Sequence, residues 1–307
     1  MTRASWTLDA PVPVVSTSPV VLRAAARRGA DLELRVSAPT TGRDLPMLIF
    51  AHGFAQSSDG YLPLTHHWAA RGFVVVQPTF LDSWRYGLPK DDPRTPLIWQ
   101  QRADDVTNIL DHVEQIESVV PLLEGRVDRE RVVIAGHSFG AHTAGLLLGA
   151  RVRASDGRLS ASRRDDRIEA AVLLSTAGRG GDALSAFARE RLPYLDQDFS
   201  DVTTKTLVVA GDRDVSPLTV LGPEWFTDAY ALMPGATTLV TLFGAEHMLG
   251  GIDGMTGHAP NESLSQVAAV QRLTWAWART ALHPEERAWS EARAELPVEV
   301  GRVEEKA

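Results

Sequence analysis

The sequence predicts an α/β fold in which helices cover both faces of a mostly parallel central sheet. Two observations favour it. Short apolar, β-branched runs alternate with longer helical stretches along the chain, which is typical of strand–helix–strand units. The 307 residues, 44% hydrophobic and 23% charged, have the composition of an ordinary globular protein with room for one large α/β domain.

The predicted strands begin with an antiparallel pair and continue as buried apolar runs. They cover residues 14–22, 31–37, 47–51, 73–77, 131–135, 168–174, 206–210 and 237–243. Helices are predicted between them at residues 61–71, 138–150, 223–233 and 263–282, and a long helix is predicted within residues 95–122. Residues 1–283 are therefore assigned to one domain. The last segment, 284–307, is rich in Glu and Arg and is predicted to form a surface helix and then fray.

Composition excludes several classes of function. A net charge of −8 argues against a nucleic-acid-binding protein, which usually carries a basic stripe. The absence of cysteine removes disulfides, thiolate metal sites and a Cys nucleophile. No apolar stretch approaches the roughly 20 residues of a membrane helix. The N-terminus does not resemble a secretory signal, so a cytoplasmic location is expected.

The most informative motif is the pentapeptide Gly-His-Ser-Phe-Gly at 136–140. An apolar run at 132–135 precedes it and a small-residue helical stretch at 141–148 follows it. Strand, G-x-S-x-G and helix together are typical of a nucleophile elbow, where a sharp turn holds the serine clear of the sheet. The free N–H groups at the start of the helix favour a developing oxyanion. We therefore predict Ser138 as the nucleophile.

Four polar residues follow the ends of separate predicted strands: His52, Ser138, Asp214 and His247. Because ligands of such sheets bind beyond the carboxyl ends of the strands, these residues could meet at one edge. A serine hydroxyl needs a neighbouring base, and His247 is the preferred candidate because it follows the last strand.

The histidine in turn needs an acid to hold its tautomer. Asp214 is preferred because it lies further round the turn after residue 211. Asp212 is the alternative acid, or else a residue that stabilises the turn.

The oxyanion would need two backbone N–H donors. They are predicted at Phe139, directly after the nucleophile, and at Phe54, in the loop after strand 47–51. Trp84 and Trp99 bracket a long Pro-rich loop that we predict to form one wall of an apolar pocket. Packing of this loop on the protein surface is the alternative interpretation.

Other polar residues near the site are interpreted as structural. His52 and His137 flank it in sequence and are expected to pack and form hydrogen bonds beneath the loops. Arg102 and Asp105 are spaced one turn apart on a predicted helix, so they are expected to form an ion pair with each other.

Four segments together resemble the α/β-hydrolase family, in the branch of dienelactone-hydrolase-like esterases, platelet-activating-factor acetylhydrolases, chlorophyllases and cutinase-like esterases. They are residues 47–54, 136–140, 208–214 and 244–247. The resemblance implies an α/β-hydrolase fold. Dienelactone hydrolases use a cysteine, which this chain lacks. The interval between strands 168–174 and 206–210 leaves no room for a large cap domain, which implies an open site.

The resemblance also implies a catalytic triad of Ser138, Asp214 and His247, with oxyanion donors at Phe54 and Phe139. The expected function is that of a serine carboxylester hydrolase acting on a small-molecule ester, with no metal or organic cofactor. The same residues would serve another acyl hydrolase or an acyltransferase that acts on amides or lipids. A ligand-binding pseudo-hydrolase is the non-enzymatic alternative, although such proteins are expected to lose a triad residue.

Overall fold

The structure is a computed structural model and describes residues 10–23, 26–89, 91–254 and 262–306. Eleven strands occur in this part, β1 to β11 in chain order: Val14–Leu22, Leu32–Pro39, Leu45–Ala51, Val74–Pro78, Val127–His137, Arg151–Val152, Ile168–Leu174, Gln197–Asp198, Lys205–Gly211, Ala236–Leu242 and Gly301–Glu305. The described part of the chain also contains eight α-helices, α1 to α8: Leu62–Ala69, Ile98–Asp111, Val113–Val119, Phe139–Leu147, Ala186–Arg191, Asp228–Leu232, Leu264–Leu282 and Ala288–Ala294.

Nine strands of the described chain form one sheet in the order β1-β2-β4-β3-β5-β7-β9-β10-β11. The six strands from β4 to β10 in this order are parallel, whereas β1, β2 and β11 join the two ends antiparallel. The short strands β6 and β8 pair separately. The prediction of a mostly parallel sheet with helices is confirmed.

The central strands are buried on both faces, as their continuous apolar runs predict. In β3, Met47 and Ile49 enter one hydrophobic cluster, and Leu48 and Phe50 enter the other. Helices α2, α3 and α4 contribute to the first cluster, and α1 and α7 contribute to the second. This burial on both faces holds the strands in place, so it also fixes the positions at which the loops with the predicted site residues begin.

The long helix predicted within residues 95–122 is present as α2, and a second helix, α3, follows a break at His112. In a continuous helix the N–H of His112 would donate to the carbonyl of Asn108. Instead, the Nδ1 atom of the His112 ring lies 2.9 Å from that carbonyl, and the N–H donates to Ile109. The side chain thus competes with the backbone for one acceptor and interrupts the helix.

The prediction that the C-terminal segment 284–307 frays after one helix is wrong. The predicted helix is present as α8, and β11 follows it and pairs with β10. Val303 packs against the hydrophobic cluster that contains α7, which supplies the apolar contact that sequence composition did not reveal.

The N-terminal residues 1–9, from which the absence of a secretory signal was predicted, lie outside the described residues. Among the helices that the structure describes, none combines the length and the apolar character needed to cross a lipid bilayer.

Candidate active site

The turn between β5 and α4 carries Ser138 in a strained conformation. Its φ of 55° and ψ of −118° lie outside the regions that most residues adopt. A Cβ atom on Gly140 would lie 1.9 Å from the carbonyl oxygen of Ala51, and one on Gly136 would lie 2.3 Å from that of Gly140. Only glycine fits at either position, so the motif is required by the close approach of β3, β5 and α4.

Ser138, His247 and Asp214 meet in a hydrogen-bonded line at the carboxyl edge of the sheet. The Nε2 atom of His247 lies 2.9 Å from the Oγ atom of Ser138. Its Nδ1 atom lies 3.0 Å and 3.1 Å from the two carboxylate oxygens of Asp214, whose side chain is 0% exposed. A carboxylate only accepts hydrogen bonds, so Nδ1 carries the proton and Nε2 is left to accept from the serine hydroxyl.

The loops after β9 and β10 are tied together, and this decides which aspartate reaches the histidine. The N–H of Arg213 donates to the carbonyl of Ala245 at 3.0 Å. Asp212 is exposed and accepts a 2.6 Å hydrogen bond from the N–H of Gly244, so it stabilises the pair of loops. The structure therefore brings Asp214, rather than Asp212, to His247.

The loop after β3 lies beside this line of residues. Among the described residues, neither the N–H of Phe54 nor that of Phe139 has a hydrogen-bond acceptor. The rings of the two phenylalanines lie 6.3 Å apart between centroids. Each donor follows the end of its own strand, β3 or β5, so both N–H groups belong to segments that meet at Ser138.

The two histidines interpreted as structural are buried and hydrogen-bonded. His52 accepts a 3.0 Å hydrogen bond from the N–H of Phe80 at Nε2, and its Nδ1 lies 2.7 Å from the carbonyl of Gly53. His137 lies between the Tyr61 hydroxyl at 2.9 Å and the carbonyl of His247 at 2.8 Å. Burial lowers the pKa of both rings to about 3, so both are neutral.

Residues 48–270 match the model of the alpha/beta hydrolase family, and this span is more than half of the chain. The chain belongs to the alpha/beta hydrolase family. Among curated proteins, none matches it significantly. Membership in the alpha/beta hydrolase family supports the interpretation that the protein is a hydrolase. It also agrees with the sheet order and with the elbow between β5 and α4.

A cavity of about 350 Å³ opens beside Ser138 and His247 in this alpha/beta hydrolase. Most of its walls come from the cap segment, which we define as residues 175–204, and from residues 216–226. Its apolar lining includes Ala177, Phe187, Leu192, Leu195, Leu218 and Phe226. The cap segment is short, as the interval between its flanking strands predicts, but it covers one side of the site.

A larger groove of about 950 Å³ continues from this cavity, and the two share Phe54, Phe139, Leu192 and Tyr194. Trp99 lines the groove. Trp84 does not line either space: its side chain is 68% exposed, and its backbone N–H donates to the carbonyl of Ala55. Of the two tryptophans, the structure brings only Trp99 near the site.

The expected ion pair between Arg102 and Asp105 is wrong. Arg102 pairs with Asp82 through hydrogen bonds of 2.8 Å and 2.6 Å, whereas Asp105 pairs with Arg28 at 2.9 Å. The sequence indicates that Arg102 is buried, because it lies in the apolar stripe of α2, three residues after Trp99. A charged residue in such a stripe is buried and needs a partner from elsewhere in the chain.

Burial by itself would raise the pKa of Asp82. The charge and hydrogen bonds of Arg102 outweigh that effect and hold the pKa below its usual value. The pair is therefore ionised. Within the described part of the chain, no group of three or more His, Asp or Glu side chains is arranged to hold a metal ion.

Proposed function

We propose that this alpha/beta hydrolase is a serine carboxylester hydrolase that works through an acyl-enzyme. The observation that carries the proposal is the line of hydrogen bonds from Ser138 Oγ through His247 to the buried carboxylate of Asp214. Nucleophile, base and orienting acid are all in contact before substrate binds.

In the first half of the reaction, Ser138 Oγ attacks the ester carbonyl carbon while Nε2 of His247 takes the hydroxyl proton. The carbonyl π electrons move to oxygen, and the resulting tetrahedral oxyanion is stabilised by the N–H groups of Phe54 and Phe139. When the intermediate collapses, the C–O bond to the alcohol breaks and His247 gives its proton to the departing alkoxide. Asp214 stabilises the imidazolium that exists between these two events.

In the second half, a water molecule replaces the alcohol. His247 takes a proton from this water, whose oxygen attacks the acyl carbon, and a second oxyanion forms in the same place. Collapse breaks the bond to Ser138 Oγ and returns the proton from His247 to that oxygen. No step in this scheme uses a metal or an organic cofactor.

The surroundings of the serine support a small-molecule ester with an apolar acyl group. The cavity beside Ser138 is lined mainly by apolar side chains, and its volume of about 350 Å³ lies near the lower end of the range for small-molecule sites. The short cap segment also fits the esterase branch that the sequence resembles.

The test is hydrolysis of p-nitrophenyl esters from acetyl to palmitoyl, together with labelling by a fluorophosphonate. The wild type is expected to hydrolyse the shorter esters and to be labelled, and Ser138→Ala is expected to lose both properties. Ser118→Ala, an exposed serine on α3, is the control and is expected to retain both. Absence of both in the folded wild type would contradict the proposal and favour a binding protein, whereas labelling without turnover would favour a different acyl substrate.

A further inference from the structure

We propose that Arg102 is a positioning residue that aims the N–H of Phe54 at the oxyanion, with Asp82 as its buried partner. This inference rests on the proposed function, because it concerns the proposed oxyanion hole. Arg102 and Asp82 are among the most buried charged groups of the described chain, with side chains 1% and 5% exposed.

Arg102 contacts the peptide group that joins Gly53 to Phe54. The carbonyl of Gly53 and the N–H of Phe54 belong to the same planar peptide and point in opposite directions. That carbonyl accepts a 3.3 Å hydrogen bond from Nη2 of Arg102 and a 2.7 Å hydrogen bond from Nδ1 of His52. Holding the carbonyl on the arginine side therefore directs the N–H of Phe54 away from the arginine.

Arg102 and Asp82 also contact the peptide groups on either side of this one. Nη1 of Arg102 donates to the carbonyl of His52 at 2.8 Å. On the other side of Phe54, the N–H of Ala55 donates to Oδ2 of Asp82 at 3.1 Å. The ion pair thus contacts the backbone both before and after Phe54, and a rotation of the Phe54 peptides would break several charge-assisted hydrogen bonds.

Arg102 also contacts the ring of Phe139, the residue that offers the other proposed oxyanion N–H. The guanidinium of Arg102 lies between two aromatic rings, 4.4 Å from the centroid of Phe80 and 4.3 Å from that of Phe139. Both residues that offer an oxyanion N–H are therefore linked to the same buried cation, Phe54 through its backbone and Phe139 through its ring.

The chain offers a matched control, because a second buried arginine is paired with a buried aspartate. Arg28 and Asp105 are 4% and 6% exposed and joined at 2.9 Å, and Arg28 also donates to three backbone carbonyls, those of Ala30, Asp31 and Thr79. Among the described contacts, this pair does not bond to the loop 52–55. Arg28→Met and Arg102→Met should therefore destabilise the fold similarly and differ only in their effect on the loop.

The experiment measures kcat and KM with p-nitrophenyl butyrate at a temperature where circular dichroism shows each variant to be folded. Arg102→Met is expected to lose about 100-fold in kcat, the scale of one oxyanion donor, with KM changed less than about threefold. Arg28→Met is expected to keep kcat within about threefold. A folded Arg102→Met with wild-type kcat, or an equal loss in Arg28→Met, would overturn the proposal.

Two further measurements keep the proposal testable. If Arg102→Met does not fold, Asp82→Asn takes its place as the test variant. It preserves the volume of the side chain and an acceptor for the N–H of Ala55, and it is expected to lower kcat about tenfold. Amide hydrogen exchange of residues 53–55 should accelerate in Arg102→Met and not in Arg28→Met. Hydrogen exchange is measured without substrate, so the two proposals can be tested separately. An inactive wild type would contradict the proposed function. Unchanged exchange in Arg102→Met would contradict the positioning role of Arg102.

Discussion

Nε2 of His137 lies 2.8 Å from the carbonyl oxygen of His247. A carbonyl only accepts, so Nε2 of His137 carries the proton and Nδ1 accepts from the hydroxyl of Tyr61, 2.9 Å away. That hydroxyl in turn accepts from the N–H of Gly53 at 3.2 Å. A buried chain of hydrogen bonds thus connects the loop after β3 to the loop that carries His247.

Tyr61→Phe should weaken this connection. The N–H of Gly53 and Nδ1 of His137 would both lose their partner, so we expect a stability loss of about 1–3 kcal/mol and a fall in kcat of about tenfold. Thermal unfolding and ester kinetics measure the two effects. Tyr86→Phe is the control, because within the described part of the chain the Tyr86 hydroxyl makes a single, long hydrogen bond of 3.4 Å. Wild-type kcat in Tyr61→Phe would show that the connection does not support catalysis.

The two aspartates after β9 should behave differently. Asp214→Asn keeps the volume but can present an amide N–H to Nδ1 of His247, which favours the wrong tautomer, so kcat is expected to fall about 10³- to 10⁴-fold. Asp212→Asn keeps an oxygen for the N–H of Gly244 and should stay within about threefold of the wild type. Ester kinetics on both variants distinguish the two residues, and similar losses would argue against Asp214 as the orienting acid.

The cavity beside Ser138 should set the acyl length. Ala177→Leu places extra methyl groups in its apolar wall, so kcat/KM is expected to fall more for octanoyl than for acetyl esters. The p-nitrophenyl series measures this as a ratio that is independent of enzyme concentration. Ala161→Leu, at an exposed position, is the comparison and should leave the ratio unchanged. An unchanged ratio in Ala177→Leu would mean that the acyl chain lies elsewhere.

Trp99 and Trp84 give a second test of substrate placement. Trp99 lines the larger groove, so Trp99→Ala is expected to lower kcat/KM about tenfold for esters of bulky alcohols and much less for ethyl esters. Trp84→Ala should change neither, because that side chain is mostly exposed. Measuring both alcohol series on both variants checks this. Equal effects of the two substitutions would exclude the groove as the binding site of the alcohol.

Acid should destabilise the fold through its buried histidines. Burial lowers the pKa to about 3 for His52, His67 and His137 and to about 4 for His142, so these rings stay neutral when folded and protonate on unfolding below pH 6.5. Asp105 opposes them, since burial raises its pKa to about 7 and unfolding releases its proton.

Together these five groups take up about three protons on unfolding near pH 5.5, so they should lower the free energy of unfolding by about 4 kcal/mol for each unit by which the pH falls. Urea unfolding between pH 7 and 5 measures this slope. A slope of zero would mean that the rings are accessible to protons in the folded state.

The positions of Ser138, Asp214 and His247 could be predicted because each depends on a local signal, a strand end followed by a turn. The parallel sheet then brings these ends to one edge whatever the loops do. The choice of Asp214 over Asp212 also follows from the sequence, because Asp214 lies further along the turn that follows β9.

The partner of Arg102 could not be predicted in the same way. Asp82 lies 20 residues away, in a loop that local patterns do not position. The one-turn spacing of Arg102 and Asp105 suggested a helical pair, but each of the two side chains pairs with a residue from outside α2. The walls of the cavity beside Ser138 posed a similar problem, because they come from the cap segment, whose short elements have weak periodicity.

The final strand of the chain has a consequence for association between molecules. β11 satisfies the row of N–H and C=O groups that the outer edge of β10 would otherwise present. It leaves a new outermost edge that is five residues long and carries Arg302, Glu304 and Glu305. A chain shortened before residue 301 would replace this short charged edge with the apolar run of β10, and two such copies would offer each other matching strands for intermolecular pairing.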